Sequence, residues 1–290
     1  MGKYGDAAAA VLRMDKQLRN ELLIKDGTPQ LHKYWENTYI KKQICRRESG
    51  DAFGLKDHIR AMVYALLSSG ASWDRLEDGI DLETGEIKPV DAIFYRYDAA
   101  RLLEADPDDI LRQVMNQKLG TPYIRKQIHA LIEVNIKKML SLEKAYGSIH
   151  RFYQISLEKD PTAKELVREL STIGRPHKFA QLGEALTAEY LRNVGYDIAK
   201  PDRHIRRILG GNCLDCSMRK MVPVYEAFDI VSDIGKALKK RTAEVDFILW
   251  SYCAKGYGEI CTARAPKCGV CQNSNICKTG KDDKHGHTIQ

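Results

Sequence analysis

The chain has 290 residues, 43% hydrophobic and 29% charged, with a formal net charge of +7. That length suits one large or two medium domains and buries about 75% of the unfolded surface, so a core needs neither disulfide nor metal. No apolar run approaches the roughly 20 residues that span a bilayer, which excludes a helical membrane protein. No targeting segment is recognised, so the expected location is the cytoplasm, or the nucleoid if the chain binds DNA. The positive balance favours a polyanionic partner without proving one.

Nearly all of the sequence reads as helix. Residues 7–23 are amphipathic and alanine-rich. Residues 56–69 form a strongly apolar helix, broken at Gly70, whose composition predicts burial on most sides. Residues 78–90 are the exception: Thr84-Gly85 between short β-favouring runs predicts a hairpin-like insertion. Asp106-Pro107 places an N-cap and a first-turn proline ahead of a helix, and Asp160-Pro161 repeats the signal. Between them, apolar residues from Ile124 to Leu142 keep helical spacing, predicting about six turns over 123–146. Gln181-Leu182-Gly183 opens a helix over 184–194 that stops at Gly195. Residues 278–290 read as a disordered tail. Alternating strand and helix patterns are absent, which argues against a parallel α/β sheet and for an all-α fold.

Three features carry chemistry. A glycine turn entering a helix, as at Gly183, presents free backbone N–H groups that can hold a phosphate without reading sequence. Asp202 precedes the basic run Arg203-His204-Ile205-Arg206-Arg207, where it reads as an N-cap. Cys261, Cys268, Cys271 and Cys277 are spaced C-x6-C-x2-C-x5-C, a complete shell of four thiolates for one metal centre. Disulfides suit small secreted chains, and four-cysteine zinc sites usually pair two C-x2-C units across a longer loop. One short wrapped segment suits a cube-shaped iron–sulfur cluster better, with zinc as the alternative. Arg264 and Lys267 lie between the first two of these cysteines, where basic side chains can reach backbone phosphates. Cys213 and Cys216 form a second C-x2-C with no partner pair at ligand spacing. Cys45 and Cys253 read as buried thiols.

The cysteine spacing resembles the cluster loop of endonuclease III and the adenine-mispair glycosylases, and Val245–Cys268 is similar to the stretch that leads into it. Hairpin, glycine, D-x-H-x-x-R (Asp202, His204, Arg207) and four-cysteine loop follow the order of parts in the helix–hairpin–helix DNA glycosylase superfamily. The resemblance implies a two-lobed all-α fold. Its lobes would be a helical barrel over 55–198 containing the hairpin, and a cluster domain over 199–277 joined by the N-terminal helices of 1–54. It implies a [4Fe-4S] cluster on the four cysteines and double-stranded DNA with a damaged or modified base as partner, bound by a single copy of the chain. It makes Asp202 the catalytic residue, beside C1′ of an extruded nucleotide, where a carboxylate stabilises an oxocarbenium-like sugar and orients water. Gly183, Lys178, His204, Arg207, Arg264 and Lys267 become the DNA-contacting and loop-orienting set.

Family members that also cut the backbone carry a lysine two or three positions beyond the last hairpin glycine. Here those positions are Ala185 and Leu186, after Glu184, so hydrolysis without strand cleavage is expected. Residues 123–148 and the stretch around Trp73 also resemble the type I 3-methyladenine DNA glycosylases, in which the matching aromatic stacks on the damaged base. The acidic residue that family carries eight positions earlier is Ala65 here, and its zinc ligands are not recognisable. Trp73 tilts the expected substrate towards alkylated purines, because a cationic base stacks well on an indole. Two other classes stay open: a non-catalytic DNA-binding or redox-sensing protein on the same fold, and a zinc-stabilised adaptor.

Overall fold

A computed structural model of the chain describes residues 3–68, 79, 81, 83, 84, 86–119 and 123–284. It divides into two compact units, Met1–Thr38 with Asp197–Gln290, and Tyr39–Tyr196. Both are helical among the described residues, and no described helix is long and apolar enough to cross a membrane. The strands described are Ile24–Lys25 and Thr28–Pro29, an antiparallel pair turning on Asp26 and Gly27. Both turn residues have positive φ, the backbone that Asp-Gly favours in a two-residue hairpin.

The Tyr39–Tyr196 unit is built around the helix Leu55–Leu67. Nine of its thirteen residues are buried, as its largely apolar composition predicts. Its main partner is the helix Glu184–Asn193. Polar groups lock the two together: Asn193 Nδ2 donates to the Ala61 carbonyl at 3.1 Å, and His58 Nδ1 meets the Tyr190 hydroxyl at 2.6 Å. Tyr190 continues to Tyr153 at 2.8 Å. Such pairing is what allows polar groups into a core at low cost. Burial pushes His58 down to about 3, so the ring is neutral within the fold.

Helix Glu184–Asn193 ends where the sequence places its stop. Gly195 has φ +83°, and a Cβ on it would lie 2.4 Å from the backbone oxygen of Gln43. Gly195→Ala is therefore expected to destabilise the protein by about 1–3 kcal/mol, combining left-handed strain with a clash against backbone. Chemical denaturation checks this, and an unchanged midpoint would show that the turn relaxes freely.

The predicted six-turn helix over 123–146 forms as Ile124–Ala130 and Ile136–Tyr146, with a π turn at Leu131–Asn135 between them. The widened turn re-aims the side chains beyond it. Asp106 caps Pro107–Asn116 as expected, accepting from Asp108 N at 2.9 Å. Asp160 behaves differently. It accepts from Thr162 N at 3.0 Å and Glu165 N at 2.9 Å, so an Asp-centred turn comes first and the helix starts only at Lys164. In the 78–90 segment, Asp81 N bonds Glu86 O at 2.8 Å around a turn, but no strand forms among its described residues. Lys88–Ile93 is helical instead, with Pro89 in its first turn, where proline needs no donor. Gly85 lies outside the described residues.

In the other unit the helix Gly5–Gln17 packs on Val224–Leu238 and Thr242–Cys253. Ala7, Ala10, Val11 and Met14 form the buried face at helical spacing. Asp197 caps Thr242–Cys253, accepting from Ala243 N at 2.8 Å. The tail reading of 278–290 is corrected at its start: Lys278–Lys284 is helical, tied by Thr279 N to the Asn212 carbonyl at 3.2 Å. Residues 285–290 lie outside the described residues.

Candidate active site and metal centre

The hairpin sits in the Tyr39–Tyr196 unit, between the packed helices Lys164–Ser171 and Glu184–Asn193. Phe179 and Leu182 are its buried apolar plugs. The π turn brings Asn135 against it: Asn135 Nδ2 donates to Ala180 O at 3.0 Å, and Ala180 N returns a bond to Oδ1 at 2.7 Å. Lys138 Nζ donates to the carbonyls of Pro176 at 3.2 Å and Lys178 at 2.6 Å. Lys178, expected at a DNA phosphate, spends its ammonium inside the hairpin, on the carbonyls of Phe179 at 2.8 Å and Leu182 at 3.1 Å. Burial, then the charge of Lys138, lowers it from the ordinary lysine range.

Gly183 is the N-cap of Glu184–Asn193, and no side chain caps that end. Its φ of −92° is open to any residue, and a Cβ there would meet nothing within 4 Å. Neither backbone conformation nor internal packing calls for glycine at this position. The first N–H groups of the helix have no intrahelical partner.

Asp202 belongs to the other unit. Asp246, itself buried, accepts from Lys200 N at 2.8 Å and so sets the approach to Asp202. Asp202 Oδ1 accepts from His204 N at 2.8 Å and Ile205 N at 3.1 Å, capping Arg203–Ile208. Oδ2 accepts no hydrogen bond from any described residue. One oxygen is anchored and the other is open on a half-buried side chain. His204 is half-buried, its proton affinity lowered by burial, and its Nδ1 has no hydrogen-bond partner among the described residues. Arg207 donates to the carbonyl of Cys261. It anchors the cysteine segment, a role its spacing did not reveal.

The cysteine segment is held from several sides. Gln17 Nε2 donates to Val270 O at 2.9 Å, and Arg13 Nε to Asn273 Oδ1 at 2.7 Å. Tyr252 donates to Gln17 Oε1 at 2.6 Å and contacts Cys271 Sγ at 3.4 Å, which also accepts from Asn273 N at 3.4 Å. Cys268, buried, begins a 3-10 turn ending at Val270. All eight cysteines are free thiols. Hydrogen bonds from Cys213 and Cys253, with the Arg207 charge, hold Cys261 well below the usual thiol range. A hydrogen bond from Cys213 brings Cys277 down to about 6. Burial raises Cys271, and the nearby Cys261 and Cys277 act in the same direction. Arg264 and Lys267 are exposed on this segment. Cys213 and Cys253, without a role in the sequence reading, are thus gathered at the cysteine run.

The run supplies four free thiols, the donor type a cubane takes. Cys261, Cys271 and Cys277 lie close enough to feel one another's charge, and two of the three are biased towards the thiolate that metals bind. Among the described residues no three acidic, histidine or cysteine side chains converge on one ion position. A cubane asks for something else, because each thiolate binds its own iron at a separate corner.

The fold is one already seen in solved structures. A Methanocaldococcus jannaschii 8-oxoguanine glycosylase/lyase, in complex with a 15mer DNA containing 8-oxoguanine, matches with a TM-score of 0.50 at 18% identity, covering 85% of this chain and 97% of that one. An 8-oxoguanine DNA glycosylase structure from the same organism gives 0.49 at 18% identity, over 88% and 98%. The first likeness establishes the fold. The sequence matches no protein-family profile and no curated protein. Trp73 and Gly70 lie outside the described residues, so the expected base-stacking position has no structural account here.

Proposed function

We propose that this chain is a DNA glycosylase that hydrolyses the N-glycosidic bond of a damaged or modified base. The observation that carries the reading is Asp202, one oxygen fixed by two backbone N–H groups and the other open, on a fold shared with a glycosylase. When the C1′–N bond breaks, its electron pair leaves with the base and positive charge develops on the sugar. A preorganised carboxylate stabilises that charge and orients the water that attacks C1′. Gly183 and the uncapped start of its helix receive a phosphate, and Arg264 and Lys267 reach the backbone from the cysteine segment. Cys261, Cys268, Cys271 and Cys277 hold a [4Fe-4S] cluster, which supplies a rigid fold for that segment; glycosidic hydrolysis itself transfers no electron.

Strand cleavage is not expected. Ala185 and Leu186 occupy the positions of a Schiff-base lysine. A lowered Lys178 has the basicity such chemistry wants, but its Nζ is directed at two carbonyls of its own hairpin. The substrate we favour is an alkylated purine, on the Trp73 resemblance.

The test is base release from duplexes that each carry one modified base, alkylated purines and 8-oxoguanine among them, with and without alkali. Release with strand breaks only after alkali supports a monofunctional enzyme. Breaks without alkali that disappear in Lys178→Ala would make that lysine the nucleophile. Binding without release from any duplex would favour the non-catalytic reading. Gly183→Ala is a separate check: with open space at its Cβ, melting should be unchanged while DNA affinity falls several-fold. Unchanged affinity would remove the hairpin from the interface.

A further inference from the structure

We propose that a cavity within the Tyr39–Tyr196 unit is a binding site for a phosphate group, with Lys56, Arg60, Lys88 and Arg96 as its cations. The proposal rests neither on the metal centre nor on Asp202.

The cavity measures about 430 Å³, within the range of small-molecule sites. Lys56 and Arg60 line it from the helix Leu55–Leu67, Lys88 from Lys88–Ile93, and Arg96 from the turn Tyr95–Tyr97 that follows. That turn is the unusual part of the backbone. Tyr95, Arg96 and Tyr97 have φ of +49°, +51° and +65°, three consecutive left-handed residues without a glycine. Residues with a Cβ seldom enter this region, and then singly. The surroundings hold the turn in place. The hydroxyls of Tyr97 and Tyr64 both donate to Oδ1 of buried Asp91, the second at 2.9 Å, and Ile87 N donates to the Tyr64 hydroxyl at 2.9 Å. Tyr97 N donates to Phe94 O at 2.7 Å, and the Arg101 guanidinium lies 4.8 Å from the centre of the Tyr95 ring. Strain that the surroundings over-determine collects at ligand clamps and active sites. Arg96 is the residue at the centre of this turn.

Charge gives the sign of the ligand. The carboxylates on the cavity wall are already engaged: Asp57 by Arg46 at 2.9 Å and Arg60 at 3.0 Å, Glu86 by Arg60 at 3.5 Å, and Asp91 by the two tyrosines. Lys56 and Arg96 are exposed and have no partner among the described residues. Lys88 meets Asp81 at 3.8 Å, beyond hydrogen-bond range. Arg60 Nε is buried and has no hydrogen-bond partner among the described residues. The free donors are thus cationic, which selects an anion. Guanidinium forks with two ammonium groups suit the several oxygens of a phosphate. That phosphate can come from a free nucleotide or from a DNA strand.

The experiment titrates the full chain with inorganic phosphate, with a deoxynucleoside monophosphate and with an undamaged duplex. Wild type is compared with Arg96→Gly, Lys88→Gln and the control Lys126→Gln, which removes one exposed charge from the helix Ile124–Ala130. Arg96→Gly should weaken the phosphate probes by about tenfold, the order lost with one charge-assisted hydrogen bond, and Lys88→Gln several-fold. Lys126→Gln should bind as wild type. Glycine accepts the left-handed backbone without strain, so Arg96→Gly should melt no lower than wild type, which keeps unfolding out of the comparison. The duplex separates the two sources. Duplex binding weakened in Arg96→Gly, with a shallower salt dependence, assigns the phosphate to a DNA strand; unchanged duplex binding assigns it to a free nucleotide. Equal affinities for all three probes in wild type and Arg96→Gly would overturn the proposal. So would an equal loss in Lys126→Gln, or phosphate probes that do not bind together with duplex binding unchanged in Arg96→Gly. Base release enters none of these outcomes, so the glycosylase reading can fail without deciding this one.

Discussion

Asp202→Asn should leave the protein folded and slow base release by roughly 10³-fold, the order seen when one preorganised electrostatic partner of a transition state is removed. The substitution separates two roles of one side chain. Asp202 caps Arg203–Ile208 through Oδ1, and asparagine caps about as well as aspartate, so thermal melting should match wild type. What asparagine lacks is the negative charge that the proposed reaction sets against the sugar. Asp202→Ala removes both, and should add about 1 kcal/mol of lost cap to the same loss of activity. Single-turnover release on the duplex that wild type processes, with melting in parallel, reads both effects. An asparagine variant within tenfold of wild type would mean that another group stabilises the sugar. A variant that melts early would mean that the cap needs the charge.

Cys271→Ala should abolish the metal centre. Wild type is expected to be brown, with about four iron and four sulfide per chain. In the proposed cluster Cys271 is a ligand, and its sulfur is contacted by Tyr252 and Asn273. Removing it leaves a cubane corner without a thiolate, and the segment from Cys261 to Cys277 loses what folds it. Beyond colour and iron, the variant should melt lower and bind DNA more weakly, because Arg264 and Lys267 lose their platform. Stoichiometric zinc in wild type, with no iron, would favour the structural-zinc alternative. A brown Cys271→Ala with full iron would show that Cys271 is not a ligand, and would turn attention to Cys213.

Local signals in the sequence translated well where the cause was local. Asp106-Pro107 became a cap and first turn, Gly195 ended its helix with a positive φ, and Asp202 capped the helix it precedes. Asp26-Gly27 carried an equally local hairpin signal that the helical reading passed over. Other expectations failed because the outcome depends on more than the nearest residues. Asp160-Pro161 turned the chain before starting its helix, and the long helix over 123–146 took a π turn. Nothing in its apolar spacing registers that turn, which serves a contact with Ala180, 45 residues onward.

The same division holds for the site. A cap, a glycine turn and a cysteine run are written within a few residues, and the order of these parts, through its resemblance to the glycosylases, nominated Asp202, Gly183 and the four cysteines. The directions in which the cations point were not. Lys178 folds back onto its own hairpin carbonyls and Arg207 reaches the Cys261 carbonyl, since a long flexible side chain goes to whatever acceptor the fold brings near. Cys213 and Cys253 showed no partner along the chain, and only tertiary packing brings them to the first cysteine of the run. Hydrogen bonds and thiol contacts act over a few ångströms of space whatever the separation in sequence. The chain by itself therefore determined which residues can do chemistry here, and the fold decided which of them meet.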